Sequence, residues 1–124
     1  MNYEYIKLLS QSDFGRHFLT RSYSLELLII LYENHHVDGI EQLYAMLQSK
    51  KSKMPAFLGF LNYLEDRQCI VKFTNEDKKS QRVIALTDEC RHEIDFIFND
   101  NSWVQEASNS VYAEAPRGAR SLNL

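Results

Sequence analysis

The run from Lys50 to Thr87 constrains the fold more than any other part of the chain. It opens Lys50-Lys51-Ser52-Lys53-Met54-Pro55 and continues as an apolar-periodic segment to Leu64-Glu65-Asp66-Arg67. A short β-like run follows, Cys69-Ile70-Val71-Lys72-Phe73-Thr74, then a polar turn, Asn75-Glu76-Asp77-Lys78-Lys79-Ser80, and a second β-like run, Arg82-Val83-Ile84-Ala85-Leu86-Thr87. Helix, strand, basic turn and strand in this order predict a mainly α fold with a small β-hairpin wing. That is the order of a winged helix-turn-helix, in which a helix can enter a DNA groove while the hairpin reaches the neighbouring backbone.

The remaining segments read as support for this unit. Tyr5, Ile6 and Leu9, then Phe14, Phe18 and Leu19, give apolar faces near helical spacing over residues 2 to 20. Gly15 interrupts them, and Ser10 or Ser12 is placed to cap a second helix after the break. Leu25, Leu28, Ile29 and Tyr32 predict a central helix capped by Ser22 or Ser24 and ending at Asn34-His35-His36. Adjacent histidines point about 100° apart on a helix, so a capping or solvent role is expected there and no metal site. Asp38-Gly39-Ile40-Glu41 has the form of a capping box opening a short helix buried through Ile40, Leu43, Tyr44 and Leu47. The next helix, 52–66, is the expected recognition helix, capped by Ser52, with Pro55 in its first turn and Phe57, Phe60, Leu61 and Leu64 facing inward. Thr87 is positioned to cap a terminal helix.

That terminal helix is apolar on two sides, with Ile94, Ile97 and Phe98 on one and Phe96 and Trp103 on the other. This is more than one small core accommodates, so dimerisation through it and the N-terminal helix is expected. The predicted organisation is one winged-helix domain over 1–107, with dimerisation helices at both termini, and a flexible tail over 108–124 that has few apolar residues.

Charge distribution gives the first functional indication. The chain carries a net −3, yet the stretch from Gln48 to Arg82 holds eight positive and four negative side chains, a net +4, leaving −7 elsewhere. A basic segment on an acidic body is the footprint of local phosphate contact, although surface lysine clusters are also commonly just solvated. Lys50, Lys51, Ser52, Lys53 and Asn62 are the candidates in or beside the major groove. Lys72, Lys78, Lys79 and Arg82 are the candidates for the wing and its backbone contacts, with the wing spanning 70–87. The outward positions Met54, Pro55, Ala56, Leu58 and Gly59 are unusually apolar for base reading. They support an alternative: a winged-helix protein-interaction module, an adaptor or anti-regulator, that does not read DNA specifically.

Other classes find little support. There is no P-loop, Rossmann glycine pattern, zinc spacing or nucleophile elbow, so no enzyme activity, cofactor or metal is expected. No apolar run approaches the roughly 18 residues of a membrane span. The N-terminal residues lack the pattern of a signal peptide, so a cytoplasmic location is expected. Cys69 and Cys90 do not make a disulfide framework; they read as two reduced, partly buried thiols. A redox role would need an exposed, low-pKa thiol beside positive charge, such as Arg91 supplies in sequence next to Cys90.

Leu64-Glu65-Asp66-Arg67 followed by Ile70-Val71, then Asp77-Lys78-Lys79 and Leu86-Thr87, resembles the MarR family of bacterial transcriptional regulators over roughly residues 24–97. The resemblance implies a winged-helix homodimer on a pseudo-palindromic operator, usually repressing. It also implies release by a small phenolic effector or by thiol oxidation. The chain departs from the family pattern in the wing, where the usual Arg becomes Lys79 or Ser80. It departs again in the recognition helix, where Pro55, Ala56, Leu58 and Gly59 replace the usual Ser, Thr or Arg.

Overall fold

The structure is a computed structural model that describes residues 3–49 and 52–99. Its elements are α1 (Tyr3–Ser10), a 3-10 helix (Gly15–Leu19), α2 (Ser24–Glu33), β1 (Val37–Asp38), α3 (Ile40–Met46), α4 (Met54–Asp66), β2 (Ile70–Thr74), β3 (Arg82–Leu86) and α5 (Asp88–Phe98). The chain divides into one unit from Met1 to Ile94 and a second from Asp95 onward. The first holds every element up to β3 and the start of α5. Trp103 and the predicted tail over 108–124 lie outside the described residues.

The expected break in the N-terminal segment is present, but the second piece is a 3-10 helix. A Cβ on Gly15 would lie 2.8 Å from Leu9 Cδ2 and 2.9 Å from Ser12 Oγ, so a side chain there would have to displace the packing of Leu9 and Ser12. Ser12 ties this corner: its hydroxyl accepts from the Gly15 N–H at 2.8 Å and donates to the Glu93 carboxylate, which also accepts from the Phe14 N–H at 3.0 Å.

The core gathers the predicted stripes. Leu27, Leu28 and Leu31 of α2, Leu43 of α3, and Phe57, Phe60, Leu61 and Leu64 of α4 are all buried. Tyr23 packs between Phe57 and Phe60 at centroid distances of 5.9 and 5.7 Å. Each such side chain contributes about 1.5–3 kcal/mol on burial, which fixes α4 against α2 and α3.

The sheet has a third strand that periodicity did not announce. The strand order is β1-β3-β2, all antiparallel, with Val37 opposite Ile84 and Ile70 opposite Leu86. Ile70, Ile84, Leu86 and Val37 are nearly fully buried, while Val71 and Phe73 alternate to the exposed face of β2.

Several predicted caps are corrected. Asp38 does not open α3. It is part of β1, its carboxylate 3.5 Å from His36 Nε2, and the cap position belongs to Gly39 at φ 109°. Pairing with β3 wins here because the Gly39 N–H can donate to the Arg82 carbonyl at 2.8 Å. Ser24 lies inside the first turn of α2, where its buried hydroxyl donates to the Phe18 carbonyl at 2.7 Å and accepts from the Arg21 N–H. Ser52 does not cap α4, since Lys53 occupies that position. Pro55 does sit in the first turn of α4, and the Thr87 hydroxyl accepts from the Cys90 N–H at 3.1 Å at the start of α5.

Two charged residues hold the helix-turn-helix from behind. Glu26, the acid in the first turn of α2, accepts from the backbone N–H groups of Gln48 and Ser49, both at 2.8 Å, and from the Ser49 hydroxyl. It thereby anchors the loop entering α4. Arg91 donates to the carbonyls of Leu31 at 2.7 Å and Tyr32 at 3.0 Å, closing the C-terminal end of α2, whose carbonyls have no helical partner.

Candidate nucleic-acid interface

α4 presents two unlike surfaces. Its inner stripe is buried, and its outer surface is formed by Pro55, Ala56, Leu58, Gly59, Asn62 and Asp66, all exposed. A Cβ on Gly59 would meet nothing within 4 Å, so this surface is open. Leu58 is 38% exposed, as an outward apolar residue should be.

The wing follows directly. β2 and β3 are joined by residues 75–81, with Thr74 opposite Arg82. The sequence predicts a mobile loop here, but the turn is braced internally. The Asn75 N–H donates to the Gln81 carbonyl at 3.1 Å, and its side-chain amide donates to Gln81 Oε1 at 2.8 Å. Asn75 Oδ1 in turn accepts from the N–H groups of Asp77 and Lys78. This Asx-type arrangement fixes the backbone that carries Lys78 and Lys79.

The predicted contact residues separate into three groups. Lys50 and Lys51 lie outside the described residues. Lys53 is exposed at the N-terminal end of α4, and Lys78, Lys79 and Arg82 are exposed on the wing, none in an ion pair among the described residues. The remaining three are engaged elsewhere. Ser52 turns inward: its hydroxyl donates to the Tyr23 hydroxyl at 3.1 Å and its carbonyl accepts from the Tyr44 hydroxyl at 2.6 Å. Lys72 lies against α4 with its side chain 13% exposed, 3.2 Å from the Glu65 carboxylate. Its ammonium also donates to Asn62 Oδ1 at 2.6 Å, so strand β2 is tied to the outer edge of α4 through two of the predicted residues.

The opposite edge of α4 carries residues that the sequence did not single out. Tyr63 stacks on Phe60 at 6.0 Å and shares a 2.7 Å hydrogen bond with His17 Nδ1. The guanidinium carbon of Arg67 lies 4.4 Å from the Tyr63 centroid, and that of Arg21 lies 5.0 Å from the Phe60 centroid. Partial burial, then the charges of Arg16 and Arg67, hold the His17 imidazole below its usual range.

Cys69 and Cys90 are both free and fully buried, with 0% exposure, and share a side-chain hydrogen bond. That bond, reinforced by burial, pushes the Cys90 thiol up, away from the thiolate form. The same bond, against burial, holds the Cys69 thiol below its usual range, while the Arg91 guanidinium donates to the end of α2 and only weakly opposes the rise at Cys90.

The helix order, the three-stranded sheet and the hairpin after α4 define a winged helix. No protein-family model and no curated protein matches the chain. Among solved structures it is similar to overoxidized AbfR bound to DNA, at 18% identity and a TM-score of 0.49, over 86% of this chain and 82% of that one. No helix among the described residues is long and apolar enough to cross a membrane.

Proposed function

We propose that this chain is a DNA-binding transcriptional regulator that lays the outer surface of α4 in the major groove and rests its wing on the adjacent backbone. The observation that carries this reading is the pairing of an open helix face with a braced wing. On that wing Lys78, Lys79 and Arg82 are exposed and free of ion pairs among the described residues. Such cations supply affinity and salt dependence, whereas base choice falls to α4. Lys53 is the polar group available for base edges, Asn62 would have to exchange its bond from Lys72 to join it, and Leu58 and Ala56 suit thymine methyls. The MarR-like residues from Leu64 to Thr87 support a homodimer on a pseudo-palindromic operator, with a small-molecule effector as a further partner. Ile6 on α1 and Phe96 on α5 are exposed and are the residues that dimerisation would cover.

The test is the double substitution Lys78→Ala/Lys79→Ala, measured by fluorescence anisotropy on duplexes of several sequences. Binding should weaken on all of them alike, and the salt dependence should flatten. Unchanged affinity contradicts the role of the wing.

A second reading is supported by the exposure of Leu58, Val71 and Phe73. In it the same fold docks on a protein and reads no DNA.

A further inference from the structure

The guanidinium groups beside α4 are unusual in what they lack. Arg16, Arg21 and Arg67 are all exposed, and none pairs with a carboxylate among the described residues. The Arg21 guanidinium donates to the neighbouring Thr20 carbonyl at 3.2 Å. The geometry of α4 brings two of them together, with Arg21 over Phe60, Phe60 on Tyr63 and Tyr63 under Arg67; Arg16 directly precedes His17, whose Nδ1 shares a 2.7 Å hydrogen bond with the Tyr63 hydroxyl. Like charges placed near one another repel, and these three are exposed and unpaired among the described residues in a chain of net charge −3. The guanidinium carbons of Arg21 and Arg67 lie over the Phe60 and Tyr63 rings, and both residues are exposed. A stacked guanidinium is thus pre-organised to meet an oxyanion with paired donors.

We propose that Arg16, Arg21 and Arg67 form a second phosphate-binding surface, on the flank of α4 opposite the wing, that holds the other backbone bordering the groove. The proposal rests on the DNA-binding reading above and extends it. Its geometric basis is the two edges of α4. On one edge Asn62 and Glu65 meet Lys72 of β2. On the other, Phe60, Tyr63 and Arg67, spaced i, i+3 and i+7, meet Arg21 and His17. The exposed Pro55, Gly59 and Asp66 lie between the edges. A helix seated in a major groove about 12 Å wide has a phosphate backbone on each side, and cations at both edges of α4 match that arrangement.

The length of the surface favours a nucleic-acid backbone over a single carboxylate. From Phe60 to Arg67 the helix rises about 10 Å. Arg21 over Phe60 and Arg67 over Tyr63 are separate cationic points along this flank, which suits the repeated phosphates of a DNA strand. An acidic protein partner is the competing occupant, and the experiment separates the two.

The test compares the full chain with Arg16→Gln/Arg21→Gln/Arg67→Gln, which keeps much of each aliphatic stem. Binding of a random-sequence duplex is measured by anisotropy across a salt series. Each phosphate no longer neutralised should reduce the slope of log K against log salt by about 0.9, and the triple substitution by up to about 2.7. Arg16 stacks on no ring among the described residues, so Arg16→Gln alone removes one cation without disturbing the ladder. Its slope should fall by about 0.9, which keeps the test open if the triple variant does not fold. An unchanged slope in Arg16→Gln and in a folded triple variant, while Lys78→Ala/Lys79→Ala still lowers it, overturns the proposal. It would assign the surface to an acidic protein partner and leave the DNA reading intact. No binding by the unsubstituted chain, even at low salt, overturns both.

Discussion

At the scale of the residue, the side chains with the largest structural consequences are charged groups used against backbone. Arg91 reaches from α5 to close the end of α2, on which α3 and α4 pack. Replacing it with Ala leaves the Leu31 and Tyr32 carbonyls without this donor. Hydrogen bonds to charged groups contribute about 1.5–3 kcal/mol, so Arg91→Ala should lower stability by that order in urea denaturation. No change in midpoint would contradict the assignment. His17 gives a prediction in pH. Its imidazole titrates below the ordinary value of about 6.5 because burial and the charges of Arg16 and Arg67 disfavour protonation. The unfolded chain therefore takes up the proton first. The stability due to neutral His17 is present above about pH 6.5 and is lost as pH falls through the lower folded value. An NMR titration of the His17 ring should place its midpoint below that of an unfolded control; a midpoint at or above the control contradicts this environment for the ring.

At the scale of the element, what was legible in the sequence and what was not follow from the range of the forces involved. Phe57, Phe60, Leu61 and Leu64 repeat at helical spacing, so α4 and its buried side could be read directly. The two runs flanking the wing were equally plain. β1 was not, because two residues carry no period and Val37 becomes a strand only by pairing with Ile84. The caps at Asp38, Ser24 and Ser52 were misread for a related reason. A short polar side chain before a helix has other partners available, and Phe18, Tyr23 and the β3 backbone are distant in sequence. Lys72 was assigned to the wing because its position alongside Glu65 and Asn62 depends on how β2 folds back on α4. The arginine ladder was invisible because Arg16, Arg21 and Arg67 converge only in three dimensions. One substitution on α4 discriminates between its two proposed uses. Leu58→Arg adds a cation to the outer face; DNA affinity should hold or rise if that face lies on DNA. If that face is instead an apolar protein interface, Leu58→Arg should cost the chain its protein partner.

At the scale of the whole molecule, a winged helix of ordinary construction carries an uneven charge distribution. If the chain binds DNA as proposed, the net +4 between Gln48 and Arg82 and the net −7 elsewhere would orient its approach as well as hold the complex. Dimerisation would double that arrangement and set two recognition helices against two half-sites. Light scattering at micromolar concentration should give twice the 14.6 kDa chain mass. A monomer at that concentration would exclude the palindromic operator and leave a single DNA-binding face.

DNA binding itself is tested most directly by the affinity of the unsubstituted chain for a random-sequence duplex, followed by fluorescence anisotropy at roughly 50 and 200 mM salt, where phosphate contacts reveal themselves. A DNA-binding winged helix with cations on both sides of α4 should bind at the lower salt and weaken steeply at the higher. No binding at the lower salt would contradict that function and point to the exposed apolar residues Leu58, Val71 and Phe73 as a protein-docking face.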